Sequence, residues 1–152
     1  MNRRDFVHVS LGAGAAMVIA PRMPAAMAAP VKMTVYKTPT CGCCKEWVKY
    51  VKDAGFDLTV VDMDDLSEVK RSAGVPDKLQ ACHTALVGNY VAEGHVPVDL
   101  IRKMLAGKPK IAGIAVPGMP VGAPGMEQGS TKQPFDVIAF DRNGNTSVYA
   151  KR

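Results

Sequence analysis

The stretch MTVYKTPTCGCCKEWVKYVKDAGFDLTVVDM, residues 33–63, decides how the chain is read. Met33 to Lys37 is short and rich in β-formers, and Thr38-Pro39-Thr40 ends it, which predicts a strand and a turn. Cys44, Trp47, Val48 and Val51 then recur at i, i+3, i+4 and i+7. That is one face of a helix, closed near Gly55. Phe56 to Met63 reads as a second strand. Three cysteines, Cys41, Cys43 and Cys44, fall on the turn where the first strand hands over to the helix.

Working toward the C-terminus, Asp65-Leu66-Ser67-Glu68 predicts an N-cap with an acid three residues on, opening a helix over Leu66, Val69 and Ala73. Gly74-Val75-Pro76 ends or interrupts it. Thr84 to Val87 predicts a strand, and Gly88-Asn89 turns it into Tyr90-Val91-Ala92 as a hairpin. Val98, Ile101, Met104 and Leu105 predict a third helix, closed by Gly107. The order β-α-β-α-β-β-α is the thioredoxin-like pattern, an α/β fold. Residues 107–134 are dominated by Gly, Pro and small side chains and predict a long loop with neither helix nor regular central strand. Within it, Val116-Pro117-Gly118-Met119-Pro120 and Ala123-Pro124-Gly125-Met126 each present a Met on a tight turn. Residues 135–152 predict a C-terminal β-hairpin around Asp141-Arg142-Asn143-Gly144-Asn145.

Working toward the N-terminus, Arg3 and Arg4 precede a weakly apolar stretch from Phe6 to Ala20, and Ala26-Met27-Ala28 offers small residues for cleavage. This is the layout of a secretory signal over residues 1–28, and Arg3-Arg4-Asp5-Phe6-Val7 resembles the twin-arginine export signal. An ordinary secretory signal and a retained anchor are the alternatives; the stretch is short and diluted for spanning a bilayer. The expected mature chain, residues 29–152, is then one exported, periplasmic domain without a membrane anchor.

Of 152 residues, 47% are hydrophobic and 22% charged, which suits one domain with a core. Aromatic residues make up only 6%, against an RNA-stacking platform. The net charge of +5 comes partly from Arg3, Arg4 and Arg22, and no run of five basic residues exists in 29–152. No nucleic-acid partner is expected.

Cys41 and Cys44 form a C-x-x-C between a strand and a helix N-terminus, where the helix dipole and free N–H groups favour thiolates. Such thiolates serve either disulfide exchange or soft-metal binding. A third thiol, Cys43, beside a catalytic pair could trap wrong disulfides and makes better sense as a ligand. His83 falls where thioredoxin-like folds place a proline against the C-x-x-C, so Cys82 is expected beside the turn. Four convergent thiolates suit Zn²⁺, Fe–S or Cu(I). The side chains of adjacent Cys43 and Cys44 diverge, which favours a multinuclear cluster, and Cu(I) forms these readily. Thioethers in the Met-bearing loop also suit Cu(I) and hardly suit Zn²⁺.

At this point the sequence resembles a family. Thr38-Pro39-Thr40-Cys41-Gly42-Cys43-Cys44, Ala81-Cys82-His83-Thr84-Ala85 and Glu93-Gly94-His95-Val96-Pro97 are followed by 115–122 and 124–127 in order. Together they look like the CopG-type periplasmic copper-resistance proteins, long filed as a domain of unknown function. The resemblance runs over about residues 32–150. It implies a thioredoxin-like domain that binds copper through Cys41, Cys43, Cys44 and Cys82. It also implies a role in handling or interconverting copper oxidation states, Cu(I) with Cu(II).

Other readings stand beside it. A glutaredoxin-like oxidoreductase would attack with Cys41 and resolve with Cys44. A passive copper buffer or chaperone would hand metal to an exporter, and a copper exporter or a periplasmic copper chaperone is the partner expected besides copper itself. A Cys41–Cys44 bridge is compatible with metal-free protein in an oxidising compartment. His83 is a ligand, a proton donor or a packing residue, and its strand neighbour Cys82 would point to the opposite face. His95 caps the third helix or supports the site. With ordinary pKa values near 6.5, binding by either histidine would weaken in acid. Met119 and Met126 are thioether ligands, a lid over the cluster, or a hydrophobic plug that fixes the loop. Met33, Met63, Met104 and Trp47 are expected in the core, and Asp62, Asp64 and Asp65 in a solvated turn.

Overall fold

A computed structural model describes residues 29–152. The expected signal segment, residues 1–28, lies outside the described residues. Strand β1 (Lys32–Lys37) leads into helix α1 (Gly42–Asp53), β2 (Asp57–Asp62) and α2 (Ser67–Ser72). A 3-10 turn at Asp77–Leu79 precedes β3 (His83–Val87), β4 (Tyr90–Gly94) and α3 (Val98–Gly107). Then come β5 (Gly113–Val116), β6 (Asp136–Phe140) and β7 (Thr146–Lys151). The fold is mixed α/β, with one seven-stranded sheet in the order β2-β1-β3-β4-β5-β6-β7. β1 runs parallel to β2, and β4 to β5; the other neighbours are antiparallel.

Alternation along the strands separates two cores. On one face Val35, Ala85, Val87, Ala92, Ile114 and Val137 pack with Trp47 and Val51 of α1 and with Ile101 and Met104 of α3. On the other, Val91, Ala115 and Phe140 pack with Val75 and Leu79, which follow α2. Met33 and Met104 are buried as expected, whereas Met63 lies past the end of β2 and is only half-buried.

The segment 107–134 departs from the sequence expectation. It holds β5, a central strand paired with β4 on one side and β6 on the other. All four residues of β5 are buried. Gly113 belongs to the strand because a side chain there has no room: a Cβ would stand 2.3 Å from the Val91 carbonyl oxygen. Glycine, read as a strand breaker, here permits close approach of neighbouring backbones. Two helix ends also differ. Lys108, not Gly107, takes the left-handed cap of α3. The N-cap of α2 is Leu66, while the Asp65 carboxylate accepts from the Ser67 N–H at 2.8 Å.

Candidate metal centre

Cys41 is the N-cap of α1, with extended backbone, and its sulfur accepts from the Cys44 N–H at 3.3 Å. The cap is therefore a cysteine sulfur in place of the usual hydroxyl or carboxylate oxygen. Cys44 is fully buried one turn in and is disulfide-bonded to Cys41, with Cα atoms 5.3 Å apart. Cys43 and Cys82 are free. The Cys43 sulfur lies 3.5 Å from that of Cys41 and 4.0 Å from that of Cys82. The Cys44 sulfur lies 3.7 Å from the Cys82 carbonyl oxygen. All four sulfurs fall within 4.8 Å of one another. Cys82, remote in sequence, is thus brought to the turn by β3.

A second donor group shares Cys82. Its sulfur is 3.2 Å from His83 Nδ1 and 3.2 Å from His95 Nε2. The opposite-face expectation for Cys82 and His83 does not hold, because Cys82 lies just before β3 and is free of its pleat. His95 Nδ1 lies 2.8 Å from the Pro124 carbonyl oxygen. A carbonyl only accepts, so Nδ1 carries the proton and the Nε2 lone pair of the neutral ring faces Cys82. Both rings are fully buried and meet edge to face, and His83 packs 4.4 Å from the Trp47 ring. Trp47 Nε1 donates to the Val96 carbonyl at 3.1 Å, tying α1 to the turn after β4. His83 Nε2 is buried without a hydrogen-bond partner.

Burial governs the charge states. It pushes His83 down to about 3, helped by His95 and by the Lys70 ammonium. His95 is lowered too, by burial, against the raising effects of the Pro124 hydrogen bond and Glu127. Burial, and then the neighbouring Cys43, pushes the Cys82 thiol up to about 12. His83 is therefore neutral and ready to ligate well below its ordinary range, and His95 is shifted in the same direction. The Cys82 proton must leave when a cation binds.

The Met-bearing loop reaches the centre through its backbone. Pro124 supplies the carbonyl to His95, and Gly125, at φ +81°, lies against the Trp47 nitrogen and the Cys43 carbonyl. Met119 is 46% exposed, and Met126 is half-buried.

Three residues with no role assigned from sequence hold the Cys82 segment from behind. Glu93, fully buried on β4, accepts from Lys70 Nζ at 2.6 Å, from the Ala81 N–H at 2.7 Å and from Thr84 Oγ1 at 2.7 Å. Lys70 Nζ also donates to Thr84 at 3.0 Å. Thr84 and Glu93 are cross-strand partners. Glu93 stood in the motif Glu93-Gly94-His95, but nothing in the sequence linked it to Lys70. Burial raises its carboxyl, opposed by the ammonium and the other hydrogen bonds.

Among known proteins, a family model described as "Protein of unknown function, DUF411" matches residues 79–126. Two solved structures, named "Copper resistance protein copG- Form 2" and "Copper resistance protein copG- Form 1", are similar to this chain. Each is 41% identical with a TM-score of 0.77, and each match covers 81% of this chain and 98% of the other. No curated protein matches. Among the described residues no helix is long and apolar enough to cross a membrane.

Proposed function

The chain belongs to the CopG-type copper-resistance family, and from that premise we propose that its cysteine centre binds copper as Cu(I) in a multinuclear thiolate site. One observation carries the reading: four sulfurs from two distant segments lie within 4.8 Å of one another. Cys41, Cys43, Cys44 and Cys82 are the ligands in the reduced protein. His83 and His95 adjoin as imidazole donors to the ion nearest Cys82. Soft thiolates with borderline nitrogen suit Cu(I) and leave hard cations unfavoured. The sheet with α1 carrying C-x-x-C at its start is read as a thioredoxin-like domain with a three-strand extension. In this reading residues 1–28 export the chain to the periplasm by the twin-arginine route. There it contributes to copper resistance by redox handling or sequestration, exchanging copper with an exporter or chaperone.

The decisive experiment titrates reduced protein with Cu(I) against a competing chelator. Tight binding of more than one ion, abolished in Cys82→Ser, is the expected result. Binding of one ion or none would overturn the reading if disulfide reductase activity also survived Cys43→Ser and Cys82→Ser. That outcome would favour the second reading, a glutaredoxin-like thiol–disulfide oxidoreductase, for which the Cys41–Cys44 bridge itself speaks.

A further inference from the structure

Strand alternation puts Val91 and Glu93 of β4 on the face that carries Lys70, Val75 and Leu79, and it would carry the residue two further on to that same face. His95 is instead on the α1 side, edge to face with His83 and with Nε2 3.2 Å from the Cys82 sulfur. Gly94 makes the change. Its φ is +72°, and a Cβ there would stand 2.7 Å from the Ala81 Cβ and 2.8 Å from the Val116 carbonyl oxygen. Glu93 therefore meets the Ala81 N–H at 2.7 Å, while His95 meets the sulfur of the next residue. Two side chains of one tripeptide thus grip residues 81 and 82 from opposite faces.

The rear grip is bought with desolvation. Glu93 and Thr84 are fully buried, and Lys70 nearly so. A buried ion pair gives little stability over apolar side chains of similar volume, because desolvation offsets the attraction. What this one gives is direction. The carboxylate accepts from Lys70 at 2.6 Å and from Thr84 and Ala81 at 2.7 Å, so its orientation and the place of the Ala81 N–H are fixed together. We propose that Lys70, Thr84 and Glu93 are positioning residues for the metal centre: acting through the Ala81 N–H, they hold the Cys82 sulfur where Cys43, His83 and His95 meet it, and so set how tightly the centre binds metal. This rests on the copper reading above and adds to it residues that are not themselves ligands.

The test separates position from stability. Lys70→Met/Thr84→Val/Glu93→Leu strands no charge and removes the acceptor from the Ala81 N–H. Glu93→Gln keeps a carbonyl acceptor and loses only the charge. Ala81→Pro deletes the N–H and leaves the ion pair intact; Gln80, at φ −61° and ψ 135°, already has the extended backbone that a following proline requires. In the metal-free bridged protein Cys43 and Cys82 are the free thiols, so alkylation by iodoacetamide, mapped by peptide mass, reads Cys82 with Cys43 as internal control. Cys82 should react about fivefold faster in the triple variant and in Ala81→Pro, with Cys43 unchanged and Glu93→Gln close to wild type. Cu(I) affinity of the reduced protein, measured against a competing chelator, should fall about tenfold or more in the same two variants and be retained in Glu93→Gln. An unchanged Cys82 rate in Ala81→Pro, a parallel rise at Cys43, or a Glu93→Gln that behaves as Ala81→Pro would overturn the proposal. Ala81→Pro and Glu93→Gln decide it if the triple variant does not fold. Wild-type protein that binds no Cu(I) removes the copper reading, while the alkylation arm, run without metal, still decides how Cys82 is held. Wild type and Ala81→Pro that bind Cu(I) equally tightly leave the copper reading standing and remove the positioning role.

Discussion

Gly125 shows how much the centre depends on single positions. Its φ of +81° lies in the left-handed region, and a Cβ there would stand 2.7 Å from the Trp47 nitrogen and 3.1 Å from the Cys43 carbonyl oxygen. Gly125→Ala combines an unfavourable backbone with an overlap against the first two turns of α1. It is expected to lower stability by about 2–4 kcal/mol, read from urea unfolding; a cost under about 0.5 kcal/mol would mean the loop does not seat there. At this scale the sequence was informative about side chains and silent about backbone. Cys41, Cys43 and Cys44 announced themselves by crowding, and Cys82 by its place beside His83, where thioredoxin-like folds set a proline against the C-x-x-C. The Pro124 carbonyl that orients His95 had no signature, because any residue offers a carbonyl. His83 and His95 were found as types, but their depressed basicity follows from burial, which only packing reveals.

Helix α2 is the element whose role pattern alone concealed. Its hydrophobic period pointed to Leu66, Val69 and Ala73, yet the side chain that it buries within its span is Lys70. That ammonium answers Glu93, and Glu93 in turn holds the Ala81 N–H one residue before Cys82. Lys70→Met should therefore strand a buried carboxylate, at a cost of about 3–5 kcal/mol. The sign of its pH dependence follows from Glu93, whose carboxyl is already raised above 4.5 by burial and rises further without the ammonium. A folded-state value above the unfolded one gives stability below the unfolded value that is lost as pH climbs through the folded one. The deficit of Lys70→Met should thus be larger at pH 8 than at pH 5 in urea melts, and a deficit independent of pH would remove Glu93 as its source. Strand β5 was hidden for a different reason. Gly113-Ile114-Ala115-Val116 is short and set among Gly and Pro, and only its two strand neighbours make it a strand. The longer amphipathic helices α1 and α3 and the hairpins carried their own period and were read directly.

Across the whole molecule, the sheet grows beyond the first four strands through β5 to a terminal hairpin that is also structural. Phe140 on β6 is almost fully buried, packing with Val91, Ala112 and Ala115. Phe140→Ala is expected to cost about 3–5 kcal/mol, a large share of a typical domain's stability. Because Phe140 lies in the core on the face opposite Trp47, copper stoichiometry at low temperature should stay unchanged while the unfolding midpoint falls. A parallel loss of copper sites would show that the two faces are not separable. The layering itself could be inferred from alternation, but the partition into two cores required the full strand order. The spacing of the donors carries one more consequence. Residues 41–44, 82–83 and 95 meet only after the chain has closed several long loops, and loop closure precedes any reward from the contacts it enables. On the copper reading, an unfinished chain offers the metal only its local run of cysteines, and the full donor set exists in finished molecules alone. Metal occupancy then acts as a certificate of completed folding, tying the supply of copper to chains that can hold it.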